Sequence, residues 1–247
     1  MRTRGGPDPS FPYLDADARF RFPPPREWRG DVVAVGGNLS PGMLLSAYEQ
    51  GIFPWYGPGE PVVWQSPDPR MVIFPGDLRV SRSMRKVLDG GVFEVGFCRD
   101  FEAVIRGCAA AERPGQDGTW IDGDIIAAYG ELFRLGRTVS AEAYSGGRLV
   151  GGCYGVLLGR AFFGESMFAL APNASKAAFL TLAEGLFASG VAFIDCQVPS
   201  DHLRSLGGRE IPRGEFLGML KEALIESNGD LIRRGFIPAL LTRACAP

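Results

Sequence analysis

Residues 159–213 read GRAFFGESMFALAPNASKAAFLTLAEGLFASGVAFIDCQVPSDHLRSLGGREIPR. The pattern predicts a strand, a polar-aromatic loop, a helix, a second strand and a polar turn. Arg160–Phe163 is short and aromatic between Gly159 and Gly164. Asn173 is placed to cap a helix whose Phe179, Leu182, Ala183, Leu186 and Phe187 recur at helical spacing, and Gly190 can close it as a left-handed cap. Val191–Ile194 suits a strand buried on both faces. Polar groups collect where the strands end: Glu165 and Ser166 after the first, Asp195 and Gln197 after the second. Alternation along a strand puts Asp195 and Gln197 on one face and Cys196 on the other. From local pattern, Asp195 either caps a neighbouring loop or serves a polar site. An isolated carboxylate at the end of an apolar strand must find a partner or water.

Composition narrows the rest. At 247 residues the chain fits one large domain or two unequal ones, and 46% hydrophobic residues supply a real core. A net charge of −2 excludes a global basic field, so any nucleic-acid contact must use a local patch. Five cysteines without a CxxC pair fit reduced thiols in a cytosolic protein. With His202 the one histidine, both a Ser-His-Asp triad and a His-rich zinc site are disfavoured. No apolar leader and no run of membrane-spanning length is expected.

Along the chain, residues 1–10 read as a disordered extension and Phe20–Pro25 as extended. Ser40, Pro41 and the Leu39/Leu44 staple start a helix that Gly51 ends. Trp55, Tyr56 and Trp64 follow among prolines and glycines. Trp55 either plugs a small core or offers an exposed stacking surface. After a strand at Met71–Phe74, RVSRSMRK (79–86) puts Arg82, Arg85 and Lys86 on one face of a helix starting near Ser81. That face is either a solvated surface or a phosphate-binding patch. A strand at Phe93–Phe97 and helices capped by Asp100 and Asp122 come next. Strands Thr138–Tyr144 and Leu149–Leu158 form a hairpin through Ser145–Arg148. Glycines 151, 152 and 155 weaken the second strand unless something approaches its backbone closely. An amphipathic helix at Glu215–Ser227 and an apolar tail end the chain.

This order predicts an α+β fold with a mostly antiparallel sheet and a boundary near residue 75, giving units 11–75 and 76–247. The strand–helix–strand crossover inside it is typical of acyltransferase-like folds.

Several stretches are specific enough to name a family: GGNLSPGMLLSAYEQGIFPWY (36–56), SPDPR (66–70), VSRSMRK (80–86), GTWI (118–121), LVGGCYGV (149–156), FFGESMF (162–168), NASK (173–176), IDCQV (194–198) and SLGGREIPR (205–213). In these the chain closely resembles the bacterial leucyl/phenylalanyl-tRNA–protein transferases. The resemblance implies a cytoplasmic enzyme of the N-end rule pathway, with a small N-terminal domain and a larger GNAT-like acyltransferase domain. It would move Leu or Phe (Met less well) from aminoacyl-tRNA to proteins beginning with Arg or Lys, using no cofactor or metal. It implies catalytic roles for Asp195, Gln197 and Glu165, with Asp195 orienting Gln197. It implies an aminoacyl-adenosine site at Trp55, Trp120, Cys153, Phe162, Met167 and Ile194, and tRNA phosphates at Arg82, Arg85 and Lys86. Three departures stand out: Asp89-Gly90 where relatives often carry further bases, Val139 and Tyr144 where the family commonly has His and Trp, and Cys153 where some relatives have Met. The main alternative is a CoA-dependent N-acetyltransferase. MFALAPNAS (167–175) weighs against it, because it lacks the glycines of a pyrophosphate cradle and Pro172 has no amide proton. A non-catalytic tRNA-binding or N-terminus-binding module is the other alternative, and it predicts no turnover.

Overall fold

The computed structural model describes residues 7–28, 30–57, 59–111 and 119–225. In chain order, the small N-terminal unit holds a 3-10 turn at Pro25–Glu27, β1 (Val32–Val35), α1 (Pro41–Glu49), β2 (Phe53–Pro54) and β3 (Val63–Gln65). These three strands form an antiparallel sheet in the order β1-β3-β2. The sequence pattern did not disclose it, because strands of two to four residues among prolines are too short to show a period. Asp8 donates its N–H to the Gly37 carbonyl at 2.7 Å, so residues 7–10 are tied to the small unit instead of hanging free. The rest of the expected disordered extension, residues 1–6, lies outside the described residues. Pro25 opens the 3-10 turn and thereby ends the extended run expected to include it.

The larger unit follows: β4 (Arg70–Ile73), α2 (Arg82–Asp89), β5 (Glu94–Phe97), α3 (Phe101–Ala110), α4 (Gly123–Arg134), β6 (Thr138–Ser145), β7 (Arg148–Leu158), β8 (Ala161–Ala169), α5 (Ala174–Ala188), β9 (Phe193–Gln197), α6 (Asp201–Ser205), β10 (Arg209–Ile211) and α7 (Arg213–Ala223). Its seven-stranded sheet has the order β10-β4-β9-β8-β7-β6-β5. Every pairing is antiparallel except β8–β9, the crossover through α5. The fold is therefore α+β with a mostly antiparallel sheet. Because β4 belongs to this sheet, the small unit gives way at Arg70, ahead of the boundary expected at residue 75.

Side-chain caps start α2, α3 and α4 where the sequence placed those helices. Ser81, Asp100 and Asp122 accept from the backbone N–H groups of Met84, Ala103 and Ile125 respectively. Asn173 does precede α5, but in the left-handed region (φ 68°) and with no side-chain cap bond. Ser40 precedes α1, yet its hydroxyl bonds the Asn38 side chain at 2.6 Å instead of capping the helix. The sheet separates two cores. Phe101, Val104 and Ile105 of α3, Tyr129 and Leu132 of α4 and Phe216 of α7 pack on one face with α1. Met84 of α2 and most of α5 pack on the other. The predicted close approach to the glycines of β7 is present: a Cβ at Gly151 would lie 2.6 Å from that of Ala174, at the start of α5. Of the predicted C-terminal helix, residues 226–227 lie outside the described region, as do the apolar tail and the loop before Thr119.

Candidate active site

Glu165 owes its position to an irregularity in β8. Gly155 of β7 faces Gly164, but Tyr154 faces Ser166, so Glu165 is the extra residue of a β-bulge. The bulge reverses the phase of the strand. Phe162 points into the α5 core and Phe163 into the other, whereas beyond the bulge Met167 packs with the α5 core and Phe168 with the other. Sequence alternation alone ends the strand at Phe163, whereas it runs on to Ala169.

The freed carboxylate is met from three elements. Tyr48 of α1 donates to its Oε1 at 2.7 Å, Tyr129 of α4 to its Oε2 at 3.1 Å, and Gln197 Nε2 of β9 to Oε1 at 3.2 Å. The two phenol oxygens are also within bonding distance of each other, a bond that either phenol can donate only by giving up its own bond to Glu165. Burial pushes the Glu165 pKa up to about 7. The tyrosine hydroxyls pull it down by bonding the charged form, Asp195 opposes its ionisation and Arg70 favours it. Both tyrosines, fully buried beside this acid, are pushed well above their ordinary values by burial and then by Glu165, and remain hydrogen-bond donors.

Asp195 and Gln197 sit on β9, but the equal-face expectation fails. Met71 of β4 faces Gln197 and Val72 faces Asp195, which leaves Cys196 as the extra residue of a second bulge. Gln197 itself adopts φ 60°. Asp195, with no exposed surface, is gripped by Arg70, whose Nε and Nη2 donate to its two oxygens at 2.8 and 2.6 Å. Its Oδ1 also accepts the backbone N–H of Gln197 at 2.9 Å. Asp195 thus holds the backbone of Gln197, while the carboxamide of Gln197 turns to Glu165.

Glu165 and Gln197 border a cavity of about 240 Å³, whereas Asp195, Arg70, Tyr48 and Tyr129 stand behind them and do not line it. Cys153, Phe162, Met167 and Trp120 are on its wall. Ile194 is not; it is fully buried in the α5 core behind the wall. Trp55 is half-buried and is not on the cavity wall, but it packs against the same core as Trp120. Cys196, expected to be packing alone, lies on the wall, and burial pushes its thiol and that of Cys153 up, away from nucleophilic chemistry. His202 stands at the cavity too, its ring held below its ordinary pKa by burial and then by Lys176. A wider cleft of about 790 Å³ passes Arg21, Glu49 and Arg137, but its one lining carboxylate, Glu49, is already paired with Arg19 at 2.8 Å. Arg82, Arg85 and Lys86 share an exposed face of α2, where Arg85 meets Glu184 of α5 at 3.2 Å. Among the described residues no cluster of His, Cys, Asp and Glu could hold a metal ion, and no helix is long and apolar enough to cross a membrane.

Sequence reasoning missed Arg70, Tyr48 and Tyr129 as site residues. The first two lie inside stretches already singled out, SPDPR and GGNLSPGMLLSAYEQGIFPWY, but only the fold shows what they touch.

A mostly antiparallel α+β domain with an apolar cavity, edged by a carboxylate, a carboxamide and an indole, has the parts that acyl transfer to an amine uses: a pocket for the acyl group and polar groups beside it. Comparison with known proteins narrows the class. Residues 72–221 match the family model described as leucyl/phenylalanyl-tRNA protein transferase, and residues 37–68 match the model of its N-terminal domain. The leucyl/phenylalanyl-tRNA–protein transferase of Anaeromyxobacter sp. (strain K) is 52% identical over 82% of this chain and 88% of its own. That of Pseudomonas putida (strain W619) is 50% identical over 87% and 96%. The chain belongs to the leucyl/phenylalanyl-tRNA protein transferase family. Among solved structures, a GCN5-related N-acetyltransferase from Kribbella flavida aligns with a TM-score of 0.39 and 13% identity over 69% of this chain and 61% of that one, too distant a likeness to bear on function.

Proposed function

We propose that the protein transfers Leu or Phe, and Met less well, from aminoacyl-tRNA to the N-terminal Arg or Lys of acceptor proteins in the cytoplasm, marking them for N-end rule degradation. The observation that carries this reading is the contact of Gln197 with Glu165 at the border of an apolar cavity. The reaction is aminolysis of an activated ester, so the site must hold an apolar side chain, aim a neutral amine at the carbonyl and take one proton.

The cavity supplies the first need: Cys153, Phe162 and Met167 give an apolar wall for the donor side chain, and Trp120 gives an indole for the terminal base. Gln197, its Nε2 committed to Glu165, has its carbonyl oxygen for the incoming amine. The amine nitrogen attacks the ester carbon, and its surplus proton passes to Glu165. The tetrahedral intermediate then breaks its bond to the ribose oxygen, which leaves with the proton that Glu165 returns. A carboxylate titrating near neutrality suits both transfers. The negative charge at the site also favours a cationic acceptor terminus. The exposed bases of α2 serve the acceptor-stem phosphates, a contact blind to sequence.

The test is transfer of labelled Leu from Leu-tRNA to a peptide beginning with Arg, with the same peptide beginning with Ala as control. Transfer to the Arg peptide alone, reduced about 10²-fold in Gln197→Ala with tRNA saturating, is the expected result. Equal labelling of both peptides, or transfer of an acetyl group from acetyl-CoA without tRNA, defeats the proposal.

A further inference from the structure

We infer that Arg70 is a positioning residue for the transfer reaction: by taking both oxygens of Asp195 it commits that carboxylate to fixing the backbone of Gln197 and leaves Glu165 to handle the proton. The inference rests on the reading of Gln197 and Glu165 as the transfer site.

Arg70 and Asp195 are both without exposed surface, and the guanidinium meets the carboxylate in the two-pronged geometry at 2.8 and 2.6 Å. Its remaining nitrogen, Nη1, has no hydrogen-bond partner among the described residues, and the guanidinium lies 4.9 Å from the ring of Phe53 and 4.5 Å from that of Phe216. The clamp is thus fastened by β2 of the small unit and by α7 as well as by β4. A buried ion pair of this kind is a poor stability device, because desolvating two charges offsets their attraction and apolar residues of the same volume do as well. Its geometry points to a different use. The Asp195 oxygen that receives Arg70 Nε also receives the N–H of Gln197, two residues on. Aspartates make this local bond readily, and here it closes around a glutamine at φ 60°, a conformation an L-residue adopts only when held. The chain of contacts therefore runs from Arg70 to Asp195, to the Gln197 backbone, and through its carboxamide to Glu165. An aspartate so occupied has no oxygen turned to an amine and no side-chain contact with Gln197.

Arg70→Lys separates positioning from charge balance, because lysine keeps the positive charge but cannot form two parallel bonds. Two readouts are taken: hydrogen exchange at the Gln197 amide and single-turnover transfer across pH. We expect exchange at Gln197 to quicken at least tenfold while Phe193 and Ile194 keep their protection. We expect the turnover rate to fall at least tenfold with KM for aminoacyl-tRNA within about twofold and the inflection near pH 7 unmoved. Unchanged exchange and rate in Arg70→Lys would overturn the inference, and so would an inflection that shifts, since that makes Asp195 the titrating group. If Arg70→Lys does not fold, the neutral pair Arg70→Met with Asp195→Asn is read by exchange at Gln197 and by the transfer rate alone, because removing both charges beside Glu165 moves the inflection by itself. Lack of transfer by the unaltered enzyme would defeat the functional reading, and exchange at Gln197 would still decide for or against the clamp.

Discussion

On the proposed mechanism, Glu165 is the residue on which the chemistry turns. Ionised, it can accept the proton of the attacking amine; neutral, it can only donate. With its pKa near 7, transfer should rise with pH through that value and again near the ordinary α-amine range of about 7.7–8.0 as the acceptor deprotonates. Glu165→Gln should lower the rate about 10²- to 10³-fold and leave only the second inflection, read from single-turnover rates between pH 5 and 9. Stability moves in the opposite sense. The folded carboxyl titrates near 7 against 4.5 for the free group, so between those values the folded state binds more protons than the unfolded one. Its contribution is fully present below pH 4.5 and is lost as pH rises through about 7. Relative to Glu165→Gln, the wild type should therefore lose on the order of 2 kcal/mol across that window, a figure reduced for the part of the residue open to the cavity. Chemical denaturation of both proteins at pH 4.5 and pH 8 measures the difference. An equal difference at both pH values would place the titration elsewhere.

At the scale of elements, the β8 bulge delivers Glu165, and Gly155 is what admits the bulge. A Cβ there would lie 2.2 Å from the Phe163 carbonyl oxygen and 2.5 Å from the Phe162 ring, and the first of these is backbone that cannot swing aside. Gly155→Ala should cost about 2–4 kcal/mol in denaturant unfolding, and it should depress transfer even where the protein stays folded. Gly130→Ala is the control, since nothing lies within 4 Å of a Cβ at that position. The same bulge explains where sequence reading stopped. Caps such as Ser81, Asp100 and Asp122 are local chemistry, and the helices they start were legible. A strand whose inward face changes midway shows no single period, so β8 read as a strand followed by a loop. Asp195, Gln197 and Glu165 were legible because polar groups at the ends of apolar runs demand partners. Arg70, Tyr48 and Tyr129 were not, because their partners lie 125, 117 and 36 residues away in the chain. Nothing in a single sequence brings those positions together.

At the scale of the whole molecule, the chain must hold a polyanion while carrying a net charge of −2. On the proposed reading its answer is local: the exposed face of α2, set beside α5. Each phosphate contact contributes through counterion release, so Arg82→Ala and Lys86→Ala should each reduce the salt dependence of aminoacyl-tRNA binding by about one contact without changing the rate at saturation. Arg85 differs, because Glu184 already holds it at 3.2 Å and both side chains are about half exposed. A surface pair of this kind is worth only about 0–1 kcal/mol. Arg85 can leave it for a phosphate, but part of what it gains is offset by what it gives up. Arg85→Ala should therefore weaken binding less than Arg82→Ala does. Glu184→Ala removes both a competitor and a negative charge beside the phosphate path, so it should tighten binding about two- to fivefold at low salt, an advantage that fades as salt screens the surface. Titrations of charged tRNA at 50 and 200 mM salt compare the variants directly. Weaker binding in Glu184→Ala would mean that the pair holds Arg85 in position for the phosphate, and that α5 takes part in building the tRNA surface.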